Sequence, residues 1–227
     1  MNFGHNLKRV KKQISQAEQE SHRQPGSVLL LAVSKQQSAE KVHEAYTLGQ
    51  IHFAESYLQE AQQKMVILKA LPLCWHFIGP IQSNKAKGIA HAFDWVHSIN
   101  RMEIAHMLNQ HRSDCLQPLQ VCLQINTLPV ETKNGVFIDK SWELATKVSQ
   151  LPNLCLRGLM TIAPQHLNYQ DQYTAFTKVT ELMHDMNIKL GLHMDTLSMG
   201  MSNDFVCAIQ AGSTMVRVGQ ALFGARV

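Results

Sequence analysis

The 227-residue chain carries little charge: Asp, Glu, Lys and Arg together make up 17%. Its 21 basic and 17 acidic side chains leave a formal charge of +4 with no basic tract. Scattered lysines and arginines do not build the positive stripe that nucleic-acid binding needs, and those at Lys85 and Lys87 read as a solvated helix face. Long apolar runs are missing too. The longest are strand-sized, too short to span a bilayer, and the N-terminus lacks the apolar core of a signal peptide. We therefore expect a cytoplasmic protein with no membrane association. Cysteine is sparse and odd in number, with five residues and no CxxC pair, so buried reduced thiols are expected rather than disulfides or a zinc site. The twelve histidines show neither HExxH nor another tight ligand spacing, so no metal is expected, and His76 reads as a packed, hydrogen-bonded strand histidine. No Gly-x-Gly-x-x-Gly follows the first strand, and no Walker motif occurs, which removes the usual nucleotide signatures.

What remains is a chain with 45% hydrophobic residues, no linker and no low-complexity tract, read as one domain over 1–227. An opening amphipathic helix places Leu7, Val10, Ile14 and Ala17 on one face. After it, strand-like and helix-like segments alternate. The strand candidates are Val28–Val33, Ile51–Ala54, Cys74–Ile78, Trp95–Ile99, Leu119–Ile125, Leu154–Met160, Thr196–Met199 and Thr214–Val218. The intervening stretches have the length of parallel crossovers, and Ser38/Glu40, Asn100/Glu103 and Ser202/Asp204 look like helix starts. Roughly eight such units predict an α/β fold, a small (β/α)₈ TIM-type barrel with an extra N-terminal helix. A doubly wound open sheet is the alternative.

In a barrel the working face lies at the C-terminal ends of the strands. Polar residues and glycines gather there, whereas opposite loops such as Leu71-Pro72 and Phe93-Asp94 are plain. The run Val28-Leu29-Leu30-Leu31-Ala32-Val33-Ser34-Lys35 delivers an amine to this rim, where desolvation favours its nucleophilic neutral form. Ser198-Met199-Gly200-Met201-Ser202 and Arg217-Val218-Gly219-Gln220 each lead from a strand into a helix and read as anion sites. Either glycine alone also suits an ordinary βα turn. Together they form a phosphate cradle after the last two strands, facing an amine from the first. That constellation suits pyridoxal 5'-phosphate (PLP), held as a covalent aldimine at Lys35. Arg217, which does not release its proton, would keep the pyridine nitrogen unprotonated and the ring a weak electron sink.

Ala32-Val33-Ser34-Lys35, Trp75-His76-Phe77-Ile78-Gly79 with Gln82-Ser83-Asn84-Lys85, and Arg157-Gly158-Leu159-Met160 resemble the PLP homeostasis protein family. Leu197 through Ser202 and Gly212 through Gly219 do so as well, and the match spans nearly the whole chain. The resemblance implies a fold-type III barrel like that of alanine racemase, binding PLP without an established catalytic reaction. It implies that Lys35 carries the cofactor and that Arg217 faces the pyridine nitrogen. Ser202 and the Gly219-Gln220 backbone would contact phosphate with Ser198 nearby, and Lys133 would approach the phenolic oxygen. The chain departs from the family pattern at Ser56, where asparagine is usual, at Gln220, where threonine is usual, and at Leu128-Pro129-Val130.

These readings predict a cytoplasmic PLP-buffering or PLP-delivering protein. PLP-requiring apo-enzymes are its candidate recipients, amino-acid and keto-acid balance is affected indirectly, and the state is a monomer or weak dimer. The rival is a PLP-dependent racemase. Racemisation needs a second base, which racemases take from an added domain that is not expected here, leaving only Tyr57 as a substitute.

Overall fold

A computed structural model describes residues 3–112, 117–127, 134–164 and 166–224. Helix α1 (Phe3–Glu20) buries Phe3, Leu7, Val10, Ile14 and Ala17 at the three- and four-residue spacing of one helical stripe. Asn6 Nδ2 donates to Leu222 O at 2.9 Å, and the buried Glu18 carboxylate accepts from Val28 N at 2.8 Å. Those bonds tie the helix to both ends of the chain that follows it.

The next elements are β1 (Leu29–Val33), α2 (Ala39–Thr47), β2 (His52–Glu55), α3 (Leu58–Ile67) and β3 (Cys74–Phe77). A 3₁₀ turn at Ser83–Lys85 then leads into α4 (Ala86–Ala92), β4 (Trp95–Ile99), α5 (Met102–Arg112) and β5 (Leu119–Asn126). The last part holds β6 (Val136–Phe137), α6 (Ile138–Val148), β7 (Leu154–Met160), α7 (Tyr169–Leu190), β8 (Thr196–Met201), α8 (Phe205–Gln210), β9 (Met215–Val218) and α9 (Gln220–Phe223). Eight strands pair in parallel in the order β1-β2-β3-β4-β5-β7-β8-β9, and β9 returns to β1 with Leu31 opposite Arg217. That closure establishes the (β/α)₈ barrel and excludes the open sheet. The two-residue β6 adds to the end of β5 and is too short to show an alternating pattern in the sequence.

Alternation sorts the strand residues by face. Leu31, Ala54 and Met215 pack with Leu29, Val33 and Ile78, while Leu30, Ala32, Phe53 and Phe77 join the larger core beneath the helices. Helix starts differ from the sequence expectation. Ser38 stands at the N-cap of α2, but its side chain makes no capping bond to a helix amide. Helix α5 begins two residues after Asn100, and Asp204, not Ser202, precedes α8. Asn100 Oδ1 instead accepts from the adjacent Arg101 Nη1 at 3.4 Å, and Ser202 Oγ from Ala221 N of α9 at 3.3 Å.

Strand β8 runs to Met201, beyond the expected end at Met199, because it bulges. Ser198 lies opposite Met215, yet Met201 lies opposite Arg217, so β8 carries one residue more than β9 over this interval. Gly200 occupies the bulge at φ 93°, and a Cβ there would lie 2.7 Å from Ala208 Cβ and 2.9 Å from Phe205 Cα. Left-handed strain and collision with α8 therefore act together. Gly200→Ala is expected to cost about 1–3 kcal/mol of stability, read as a lower midpoint in urea denaturation at unchanged slope.

Candidate functional site

Strand β1 ends at a tight turn in which Gln37 N donates to Ser34 O at 3.0 Å. Gln36 takes φ 61°, a conformation that L side chains disfavour, and its amide is held by the Glu60 carboxylate. The turn presents Lys35, half-buried, to a cavity of about 250 Å³ at the C-terminal mouth of the barrel. Ser56, Ser202, Arg217, Gly219 and Gln220 line the same cavity. The residues singled out in sequence thus come together from the ends of β1, β2, β8 and β9. Lys133 and the Leu128-Pro129-Val130 loop lie outside the described residues.

Arg217 is buried, which no surface ion pair would require. Its Nη1 donates to the Ser198 carbonyl and, at 2.9 Å, to Ser198 Oγ, while Nη2 donates to Thr161 O at 2.9 Å. Burial lowers its pKa to about 10, opposed by the nearby Asp204 and Cys122, so it remains a cation at neutral pH. Ser198 is fully buried and does not line the cavity; it sits behind Arg217 and holds it.

Ser202 Oγ accepts from Ala221 N at 3.3 Å, which draws the β8 bulge against the start of α9. A Cβ on Gly219 would lie 3.2 Å from Val33 O, so glycine allows this chain segment to approach the end of β1 closely. Since α9 has a single turn, its helix dipole contributes little at this mouth. Val33, Ile78, Met160 and Ile162 supply apolar walls. Sequence reasoning missed Gln172 and Asp204, which also line the cavity. Asp204 at least had a signal, standing two residues after Ser202; its carboxyl pKa is raised by burial.

A buried ionic cluster under β1 was not visible in the sequence. Lys64 Nζ, from α3, donates to Ser34 O and Glu55 Oε1 at 2.7 Å each and to Glu60 Oε1 at 2.6 Å. Ser34 Oγ donates to the same Glu55 oxygen at 2.7 Å. Glu55 is fully buried, and desolvation raises its pKa despite the adjacent ammonium. The cluster fastens the residue preceding Lys35 and, through Glu60, the residue following it.

His76 is buried and hydrogen-bonded, as its strand position suggests. The structure adds a grouping that no sequence spacing reveals. His52, Cys74 and His76 each offer a ligand atom within 4.8 Å of the others, at the N-terminal ends of β2 and β3. Among the described residues Cys74, Cys122, Cys155 and Cys207 are free thiols, and burial pushes Cys74 and Cys122 up to about 12. Cys115 lies outside the described residues. A larger cleft, about 470 Å³, opens at that opposite mouth and is lined by Lys11, Glu18, Gln50 and His52. Its size exceeds that of the first cavity, but the strand-end amine, arginine and serine are all elsewhere.

Parallel closure, with an amine and a buried arginine in one mouth, defines a barrel of the alanine racemase N-terminal domain type, and that family matches residues 5–227. An alanine racemase from Clostridium difficile shares the fold at 14% identity and a TM-score of 0.79, over 99% of this chain and 56% of that one. A pyridoxal phosphate homeostasis protein of Pseudomonas aeruginosa is 49% identical over 221 residues, covering 97% of this chain and 94% of the relative. PipY of Synechococcus elongatus, solved with PLP bound, has a TM-score of 0.88 at 34% identity, over 98% of this chain and 100% of that one. The chain belongs to the pyridoxal phosphate homeostasis protein family.

Removing one partner of a buried ion pair leaves the other charge uncompensated. Lys64→Met should therefore destabilise the protein by about 3–5 kcal/mol in urea denaturation, and Lys64→Met with Glu55→Met should recover most of that loss.

Proposed function

We propose that this protein binds PLP in the C-terminal mouth, covalently through Lys35 Nζ, and that it stores or hands on the cofactor without turning over a substrate. The observation that carries the reading is the shared cavity of Lys35, Arg217 and Ser202. When bound, the cofactor supplies an aldehyde for an amine to condense with and a ring able to accept electron density. The residues present fit it. Val33, Ile78 and Met160 give a flat ring apolar contact, and Ser202 with the Gly219 and Gln220 amides offers donors to an anion. Arg217 donates only, so a ring nitrogen facing it stays an unprotonated acceptor and the electron demand of the ring stays low. Ser56 brings a hydroxyl to the rim, where the asparagine usual in the family would bring an amide.

Binding without turnover is further supported by the position of Tyr57. It is 55% exposed and does not line the cavity, so it is poorly placed as a second base for racemisation. Among the described residues no helix is long and apolar enough to cross a membrane. Our reading places the protein in the cytoplasm as a monomer or weak dimer, with PLP-requiring apo-enzymes as recipients.

Lys35→Ala should abolish the visible absorption of the lysine-bound cofactor and borohydride trapping on this peptide; retention of both would put the linkage on another lysine. Arg217→Ala should weaken PLP retention more than Lys87→Ala, and equal losses would contradict the pocket. Incubation with L-alanine followed by chiral chromatography should show no racemisation at enzymatic rates; turnover there would favour the racemase reading.

A further inference from the structure

Three histidines line up inside the barrel between the cofactor mouth and the opposite cleft. His97 Nδ1 lies 2.8 Å from Ser198 Oγ, His76 Nδ1 lies 3.0 Å from His97 Nε2, and His52 Nδ1 lies 3.0 Å from His76 Nε2. His76 and His97 are fully buried, whereas His52 is half-buried and borders the cleft. A neutral imidazole has one donor and one acceptor, so a chain of this kind runs wholly in one direction or wholly in the other.

The serine end selects the direction. Arginine cannot accept a hydrogen bond, so Arg217 Nη1 must donate to Ser198 Oγ, at 2.9 Å. Among the described residues the Ser198 hydroxyl hydrogen then has His97 Nδ1 as its acceptor, and any other arrangement leaves that buried hydrogen unpaired. At the far end His76 Nε2 also lies 3.4 Å from Cys74 Sγ, which can accept from it in this direction. Burial keeps the rings neutral: His97 is lowered to about 3, with Arg217 adding to the effect, and His76 is lowered well below the ordinary imidazole range.

We infer that Ser198, His97, His76 and His52 form a single directed hydrogen-bond chain, every histidine protonated on Nε2, and that His97 acts through Ser198 as a positioning residue for Arg217. The chain gives Ser198 an acceptor for its own hydrogen, so its lone pairs stay aimed at the guanidinium. The consequence for the cofactor rests on the PLP reading above. A transition metal on His52, Cys74 and His76 is the competing arrangement, because it needs His76 Nε2 unprotonated and so reverses the chain.

Long-range ¹H–¹⁵N NMR of the purified holoprotein should show all three rings as Nε2–H tautomers. An Nδ1–H tautomer at His76 or His97 would overturn the direction. So would uptake of one equivalent of zinc that is lost in His52→Ala. His97→Leu should release PLP about tenfold more readily and shift the visible band, while His97→Asn, which keeps an acceptor toward Ser198, should stay within about twofold of the parent. Equal losses in both variants would remove the positioning role. Absence of lysine-bound PLP in the parent protein would instead defeat the cofactor reading, leaving the tautomer result standing.

Discussion

The pairing of β9 with β1 is the constraint on which the working face depends. With Leu31 opposite Arg217 and Ala32 opposite Val218, the first and last strands share a register. The amine that follows β1 therefore rises beside the glycine loop that follows β9. Without closure these groups would sit at opposite edges of a sheet. Helix α1 reinforces it by packing against α8 and α9, with Asn6 reaching the last helix and Glu18 the amide just before β1.

A second consequence of closure is an unusually polar axis. Small barrels commonly fill their interior with branched apolar side chains, and here Leu31, Ala54 and Met215 do so only in part. His76, His97, Ser198 and Arg217 take up the remainder, all buried. Such groups are tolerated because they satisfy one another, with Arg217 saturating the Ser198 and Thr161 carbonyls. A cation buried by desolvated carbonyls is held in one orientation. Rigidity of this kind holds one fixed donor edge toward the cavity.

The lysine turn is stiffened from outside the barrel in a comparable way. Lys64 binds Ser34, Glu55 and Glu60 at once, and those three contacts flank Lys35 on both sides along the chain. Neither Glu55 nor Lys64 borders the cavity. Their effect on the site is exerted through the backbone, and the left-handed turn at Gln36 is stabilised by the same carboxylate, Glu60, that meets Lys64.

Much was legible in the residue order because it depends on local spacing. Strand-length apolar runs gave all eight barrel strands, and the side chains at their C-terminal ends gave Lys35, Ser202, Arg217 and Gly219, since a strand's direction and its final residue are one-dimensional facts. The bulge at Gly200 was not readable, because it exists only relative to the register of β9. Nor were the links from His52 to Ser198 or from Lys64 to Ser34, whose partners stand up to 101 positions apart. Periodicity reports which side of an element is apolar, and so it determined the architecture. Which buried polar groups meet is decided by strand order and stagger, so only the folded barrel could choose the partners that hold Arg217 and the lysine turn.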